Sequence, residues 1–195
     1  MEEKPTVVIF GVGGVGSWVA EWLTRQDFYE HLILVDGDEV EEKNLTRQNY
    51  AKDDVTRFKA YALGRKLASL LPGDYDLERI HSRKIMVTTE QQLLAFPNGS
   101  NTIALICTDN VTSKRLIANY FERKVIVNCD KGRFEIKTYL DREERTAWDM
   151  GGGYSQQDIV SNVWAAAAAL ELIINEDKYD TVTTKVDIKK VLRGD

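Results

Sequence analysis

Apolar residues along the chain form short continuous runs that alternate with longer stretches in which apolar and polar positions recur at helical spacing. The short runs are rich in Val and Ile, which is typical of buried strands. We predict strands at Thr6–Phe10, His31–Val35, Leu77–Ile85, Thr102–Cys107, Val125–Cys129 and Phe134–Leu140, with a further strand near Thr183–Ile188.

The stretches with helical spacing lie between these strands. They predict helices at Ser17–Gln26, Phe58–Leu71, Thr88–Ala95, Val111–Arg123 and Gln157–Asn175, and Pro72-Gly73 is expected to end the second of them. The polar segment from Gly37 to Tyr50 is expected to be a loop with a turn of helix. Strands that alternate with helices build βαβ units, so we predict an α/β fold with a Rossmann-like, mostly parallel sheet flanked by helices.

The chain has 195 residues, which is enough for one well-buried core. We therefore predict a single domain over residues 1–195. Within it, the polar segment 141–156 contains three consecutive glycines and is predicted to be a crossover linker, and residues 176–195 are predicted to form a C-terminal tail.

Charge and composition indicate which classes of partner and which cellular location to expect. The formal net charge is −5, so the basic surface needed for nonspecific nucleic-acid binding is not expected. The apolar run Val163–Leu170 is too short to span a membrane, and Met1–Pro5 lacks the order of a signal peptide. The two cysteines form neither a disulfide framework nor a CxxC zinc motif, so we expect a cytoplasmic protein without zinc.

A glycine motif follows the first predicted strand and opens the first predicted helix. Its glycines are Gly11, Gly13, Gly14 and Gly16, and they have the GxGxxG spacing of a turn whose amides approach a phosphate. Asp36 ends the second strand, 20 residues after Gly16, where a carboxylate accepts hydrogen bonds from ribose. The pair predicts a nucleotide site but does not distinguish a dinucleotide from ATP, and the glycines alone also fit a turn without a ligand.

The residues after Asp36 resemble the ThiF and ubiquitin-activating-enzyme superfamily. The strand ends in Asp36-Gly37-Asp38-Glu39-Val40, the family's DxDxV, and Asn44-Leu45-Thr46-Arg47-Gln48 is similar to its NLxRQ. Lys59 in the sequence RFKA and the triplet Thr108-Asp109-Asn110 match two further family motifs. With the glycines, these motifs follow in the family's order over about residues 6–130.

This resemblance implies an ATP-dependent adenylyltransferase that acts on the C-terminal carboxylate of a ubiquitin-like or sulfur-carrier protein ending in Gly-Gly and releases pyrophosphate. It places Arg47 and Lys59 at the triphosphate as catalytic cations and gives Asp109 the Mg²⁺. It also implies that Asn44 donates to a phosphate oxygen, and that the site works in a homodimer or heterodimer. The other implied ATP-site residues are Gly11, Gly13, Gly14, Gly16, Asp36, Asp38 and Gln48.

Four of these residues, which are Arg47, Lys59, Asp109 and Asp38, have an alternative structural explanation. Arg47 could lie at a helix end on the surface, and Lys59 could face solvent on its helix. Asp109 with Asn110 could cap the helix that begins at Val111, and Asp38 could be a turn residue.

The sequence also leaves two other functions possible, as well as a reactive role for either cysteine. An NAD-dependent oxidoreductase fits the glycines and Asp36 but does not explain Asn44, Arg47 and Lys59. A noncatalytic subunit of a heterodimer fits all of them. Cys107 or Cys129 could accept the activated carrier as a thioester, although a buried free cysteine is usually a small apolar residue.

Overall fold

The computed structural model describes residues 3–71, 77–139, 157–175 and 183–194. The expected helix stop at Pro72-Gly73 and the whole predicted linker 141–156 lie outside these residues. No helix in the described part of the chain combines the length and apolarity needed to cross a bilayer.

The described strands form one seven-stranded sheet. They are β1 (Thr6–Phe10), β2 (His31–Val35), β3 (Ile80–Arg83), β4 (Thr102–Ile106), β5 (Arg123–Asp130), β6 (Arg133–Tyr139) and β7 (Thr183–Asp187). Their order in the sheet is β3-β2-β1-β4-β5-β6-β7; the first five run parallel, and β6 and β7 are added antiparallel to their neighbours at one side.

Helices cover both faces of the sheet, which explains why the central strands β1, β2 and β4 are apolar on both faces. The helices are α1 (Gly16–Arg25), α2 (Lys59–Ala68), α3 (Glu90–Leu93), α4 (Val111–Tyr120), α5 (Ile159–Ile174) and α6 (Ile188–Arg193). Along β1, Val7 and Ile9 pack under α1, α2 and α5, whereas Val8 and Phe10 pack under α3 and α4. The predicted α/β class with a mostly parallel, Rossmann-like sheet is confirmed.

Some element bounds differ from the sequence-based expectation. The helix predicted to reach Arg123 ends at Tyr120, because Phe121 turns into extended backbone and buries its ring against Phe10. Strand β5 therefore begins at Arg123 instead of Val125. In the tail, the predicted strand ends at Asp187, whose carboxylate caps the unpredicted helix α6.

The sheet topology creates a crevice beside β1. The chain winds from β1 through β2 to β3 on one side and then returns to β4 on the other side of β1. The loops that follow β1 and β4 therefore leave the sheet in opposite directions. In open α/β sheets this switch point is where ligands bind.

Candidate functional site

A cleft of about 580 Å³ lies at the carboxyl ends of β1, β2 and β4. It brings together nearly all of the residues that the sequence assigns to a nucleotide: Gly11, Gly13, Gly14, Asp36, Asp38, Asn44, Arg47, Gln48, Lys59 and Asp109. Segments far apart in the chain thus meet at one place, as the motifs predict.

Gly16 is the exception, because it does not line the cleft. A side chain at this position would overlap the carbonyl oxygen of Gly11 and approach Ile9. Gly16 thus allows α1 to pack closely against the end of β1.

The glycine turn itself is held by close backbone contacts. Gly11 has φ +87°, and a Cβ there would lie 2.7 Å from the Thr108 nitrogen. Only glycine adopts this conformation without strain and leaves room for the β4 loop. At Gly14, a Cβ would lie 2.5 Å from Asn162 Nδ2 and 2.6 Å from Gln157 Oε1. The turn is thus enclosed by the β4 loop on one side and by the start of α5 on the other.

Asp36 connects the glycine turn to the end of β2. Its two carboxylate oxygens accept hydrogen bonds from the backbone nitrogens of Val12, at 3.0 Å, and Asp38, at 2.9 Å. Burial raises the pKa of Asp36, and the nearby charge of Lys59 opposes that rise. Each oxygen keeps a lone pair, so the fixed carboxylate can still accept a ribose hydroxyl.

Lys59 is a buried cation in the cleft and does not lie on the solvent face of its helix. It is the first residue of α2, and its backbone nitrogen donates to the Asp38 carbonyl oxygen at 2.9 Å. Its ammonium group pairs with Asp38 Oδ2 at 2.9 Å, with 9% of the Lys59 side chain and 56% of the Asp38 side chain exposed. Asp38 thus holds Lys59 in position and remains hydrated itself.

The segment from Asn44 to Gln48 supplies polar groups to the cleft. Asn44 is buried, and its side-chain oxygen accepts from the Glu41 nitrogen at 2.9 Å. Arg47 Nε and Gln48 Oε1 are buried without a hydrogen-bond partner among the described residues. A buried donor and a buried acceptor left unpaired are unfavourable unless a ligand or water completes them.

Asp109 presents its carboxylate to the cleft. The residue that caps α4 is Asn110, whose side-chain oxygen accepts from the Ser113 nitrogen at 2.9 Å. Asp109 is exposed and makes no hydrogen bond or ion pair with any described residue. The capping alternative for Asp109 is therefore wrong.

The residues fit a magnesium ion that is shared with phosphates rather than held by protein alone. No group of three or more His, Cys, Asp or Glu side chains in the described ranges is arranged to hold a metal. Mg²⁺ commonly takes one or two carboxylates and completes its shell with phosphate oxygens and water. The unpaired carboxylate of Asp109, which lines the same cleft as Arg47 and Lys59, meets that requirement.

Sequence analysis did not predict the contribution of α5. Gln157 lines the cleft, and the Asn162 side-chain nitrogen donates to the Arg47 carbonyl oxygen at 3.0 Å. The available signal was Asp158 three residues before Ser161, a helix N-cap pattern, and Asp158 Oδ1 does accept from the Ser161 nitrogen at 2.9 Å. That pattern locates the start of α5 but not the cleft beside it.

Part of the cleft lining is apolar, and we call it the apolar wall. It contains Phe10, Val35, Ile85, Met86, Val87 and Ile117. A Cβ at Gly37 would lie 3.1 Å from Met86 Cβ, so the backbone after β2 runs directly against the segment after β3. One wall can thus cover a flat apolar group while the other holds charges.

The cysteines are poorly suited to nucleophilic chemistry. Cys107 lines the cleft, and burial raises the pKa of its thiol to about 12. Burial likewise raises the pKa of Cys129 to about 12. Because the thiolate is the nucleophile, neither side chain is activated in this arrangement.

The fold and the cleft define a Rossmann-like α/β domain with a polar site at its switch point. Residues 3–140 match the ThiF family. The chain belongs to the ThiF family, which confirms the resemblance drawn from its motifs.

Two curated proteins are similar to about two thirds of this chain. Ubiquitin-like modifier-activating enzyme 5 of Drosophila willistoni is 31% identical over 147 residues, which cover 68% of this chain and 36% of that protein. The enzyme of the same name from Drosophila persimilis is 33% identical over 149 residues, covering 67% and 38%. The chain therefore spans little more than a third of the length of these relatives.

Solved structures show the same fold at low sequence identity. E. coli MccB with ATP has a TM-score of 0.73 and 19% identity, covering 88% of this chain and 55% of that chain. PaaA has a TM-score of 0.69 and 18% identity, covering 94% and 73%. At these identities the likeness concerns the fold.

Proposed function

We propose that this chain binds Mg·ATP and adenylates the C-terminal carboxylate of a ubiquitin-like or sulfur-carrier protein ending in Gly-Gly. One observation carries the proposal: a single cleft combines the glycine turn, the cations Arg47 and Lys59, and the unpaired carboxylate of Asp109. Membership of the ThiF family and the names of the curated relatives support the same activity.

The two walls of the cleft suit the two ends of ATP. The base packs against the apolar wall, and Asp36 accepts from the ribose. The triphosphate lies between the glycine turn and the side chains of Asn44, Arg47 and Lys59. Gln48, beside Gly13, supports this end of the site. Arg47 offers a planar pair of donors and Lys59 a compact charge, which together neutralise phosphate oxygens.

The reaction needs charge neutralisation more than proton transfer. A carboxylate oxygen of the carrier forms a bond to the α-phosphorus, the bond from that phosphorus to the β-bridging oxygen breaks, and pyrophosphate leaves. Both partners are anionic, so Arg47 and Lys59 lower the barrier by stabilising the charge that concentrates at the transferred group. A magnesium ion on Asp109, when bound, adds electrostatic stabilisation of the leaving pyrophosphate.

The carrier is proposed from the relatives rather than from a surface of this chain. Those relatives are named as activating enzymes for a ubiquitin-like modifier, and MccB has been solved together with MccA. A homodimer or heterodimer is part of the proposal.

An NAD-dependent oxidoreductase explains the cleft less well. It uses the glycine turn and Asp36, but it leaves Arg47, Lys59 and Asp109 without a role. Neither histidine lines the cleft: His31 and His81 contact each other at 3.4 Å across β2 and β3. A histidine that could serve as the acid of a hydride step is therefore missing from the described cleft.

Carrier-dependent ATP–pyrophosphate exchange tests the proposal. The purified chain is mixed with candidate carriers that end in Gly-Gly, and exchange of labelled pyrophosphate into ATP is followed. We expect exchange with one carrier and none when its terminal Gly-Gly is removed. If the chain binds ATP tightly but exchange appears only after a second ThiF-family chain is added, the result would favour a noncatalytic subunit instead. NAD stabilising the chain more than Mg·ATP would contradict the proposal.

A further inference from the structure

The start of α5 holds a fully buried polar side chain that the proposed reaction does not use directly. Asn162 is 0% exposed, and its amide nitrogen donates to the Arg47 carbonyl oxygen at 3.0 Å. Its side-chain oxygen is buried with no partner among the described residues. Keeping an amide with an unpaired oxygen in the interior is unfavourable for stability, so packing alone does not explain this residue.

Asn162 also touches the glycine turn. The space beside Gly14 is so tight that a Cβ there would come within 2.5 Å of Asn162 Nδ2. One side chain therefore contacts the turn on one side and the backbone of Arg47 on the other. These are the two groups between which the proposed triphosphate lies.

The main-chain bond matters because the Arg47 side chain is poorly anchored. Arg47 Nε is buried without a partner among the described residues, so no side-chain contact of that nitrogen fixes the guanidinium. Its backbone is fixed by local turn bonds, with the Arg47 nitrogen donating to the Asn44 carbonyl oxygen at 3.0 Å, and by Asn162. The hydrogen bond from the Asn162 side chain is thus the long-range contact that fixes the position of the Arg47 backbone, from which the Arg47 side chain extends.

We propose that Asn162 is a positioning residue that fixes Arg47, through its main-chain carbonyl, at the distance from the glycine turn that a triphosphate requires. The inference rests on the proposed function, since it assigns Asn162 to the phosphate end of that ATP site. Asn162 contacts no phosphate itself and acts through Arg47.

Nucleotide binding distinguishes positioning from simple stabilisation. Asn162→Leu keeps the size of the side chain and removes both polar atoms. We expect the dissociation constant of Mg·ATP, measured by calorimetry, to rise about tenfold, as for the loss of one well-placed hydrogen bond. That of AMP, which lacks the β- and γ-phosphates, should change less than twofold.

A double-mutant cycle with Arg47→Ala tests whether the effect passes through Arg47. In the Arg47→Ala background, Asn162→Leu should weaken Mg·ATP binding less than twofold further, because the group it positions is gone. Thr24→Val is the matched control. It removes another buried side-chain bond to a carbonyl oxygen, that of Ala20 at 2.9 Å, away from the cleft, and should leave both affinities unchanged.

The outcomes separate this inference from the proposed function. Equal weakening of ATP and AMP, or a full tenfold loss of ATP affinity in the Arg47→Ala background, would overturn the positioning role. Asn162→Ala provides the same comparison with a smaller side chain where the Leu variant does not fold. A wild-type chain that fails to bind Mg·ATP would instead overturn the proposed function, and with it this inference.

Discussion

Replacing Lys59 with methionine removes the buried cation of the cleft and keeps most of its apolar stem. In the protein without nucleotide, Asp38 stays solvated because 56% of its side chain is exposed. Asp36 loses the neighbouring positive charge that opposes the burial-driven rise of its pKa. We therefore expect the free energy of unfolding to fall by about 1 kcal/mol, because the buried carboxylate of Asp36 loses a counter-charge but keeps its two hydrogen bonds from the nitrogens of Val12 and Asp38.

The effect on ATP should be much larger. A charge-assisted hydrogen bond contributes about 1.5–3 kcal/mol, which corresponds to a factor of roughly 10 to 150 in the dissociation constant. Because only 9% of the Lys59 side chain is exposed, screening by solvent is small. Because Lys59 also remains paired with Asp38, we take the middle of that range, a loss of about 50-fold.

Thermal or chemical unfolding in the presence of Mg·ATP measures this loss. At a concentration 100 times the wild-type dissociation constant, ATP stabilises the wild type by about 2.7 kcal/mol. After a 50-fold loss, the same concentration stabilises the Lys59→Met variant by about 0.6 kcal/mol. Lys43→Met is the matched control, because Lys43 also lines the cleft but its side chain is 65% exposed. A Lys59→Met variant that binds ATP within twofold of the wild type would refute the role given to this lysine.

Three further substitutions test other parts of the account. Asp109→Asn should lower carrier-dependent exchange by about 100-fold or more at saturating ATP, with the melting temperature unchanged because Asn110 supplies the helix cap; an unchanged rate would disprove the metal role. Burial opposes ionisation of Glu21, but hydrogen bonds from Asn49, Arg25 and Lys66 outweigh burial and lower the pKa of Glu21 from 4.5 to about 2. The ionised Glu21 therefore stabilises the fold by about 1–2 kcal/mol after screening, and this stabilisation is present above pH 4.5 and lost as the pH falls toward 2. Urea unfolding of Glu21→Gln should show no such loss, and a pH profile parallel to that of the wild type would contradict this explanation. In the same urea assay, Gly11→Ala should lower the free energy of unfolding by about 3 kcal/mol. Gly99→Ala, where no atom lies within 4 Å of the added Cβ, should lower it by less than about 1 kcal/mol. Similar losses for the two variants would contradict close packing at Gly11.

The sequence predicts the central strands of the sheet better than it predicts the end of α4 and the helix α6. β1 and β2 have the predicted bounds, because uninterrupted Val, Ile and Leu runs fit a strand buried on both faces. The end of α4 was misplaced because Phe121 leaves the helix to reach Phe10, a residue more than a hundred positions away. Helix α6 was missed because its cap, Asp187, also ends a strand.

The candidate site divides in the same way. The family resemblance pointed to residues in contiguous motifs, from Asn44 to Gln48 and from Thr108 to Asn110, because a motif of neighbouring residues can be matched without knowledge of the fold. Asn162 was not found because it lies 115 residues after Arg47 and meets it only when α5 packs beside the glycine turn. The choice of Asn110 over Asp109 as the helix cap likewise depends on backbone geometry that the sequence does not contain.

The most direct test is a crystal structure of the chain with a nonhydrolysable ATP analogue and magnesium. The account predicts a triphosphate lying between Gly13 and Gly14 on one side and Arg47 and Lys59 on the other, with a metal ion on Asp109. A nucleotide bound outside this cleft, or one that lies in it without touching Arg47 and Lys59, would contradict the account.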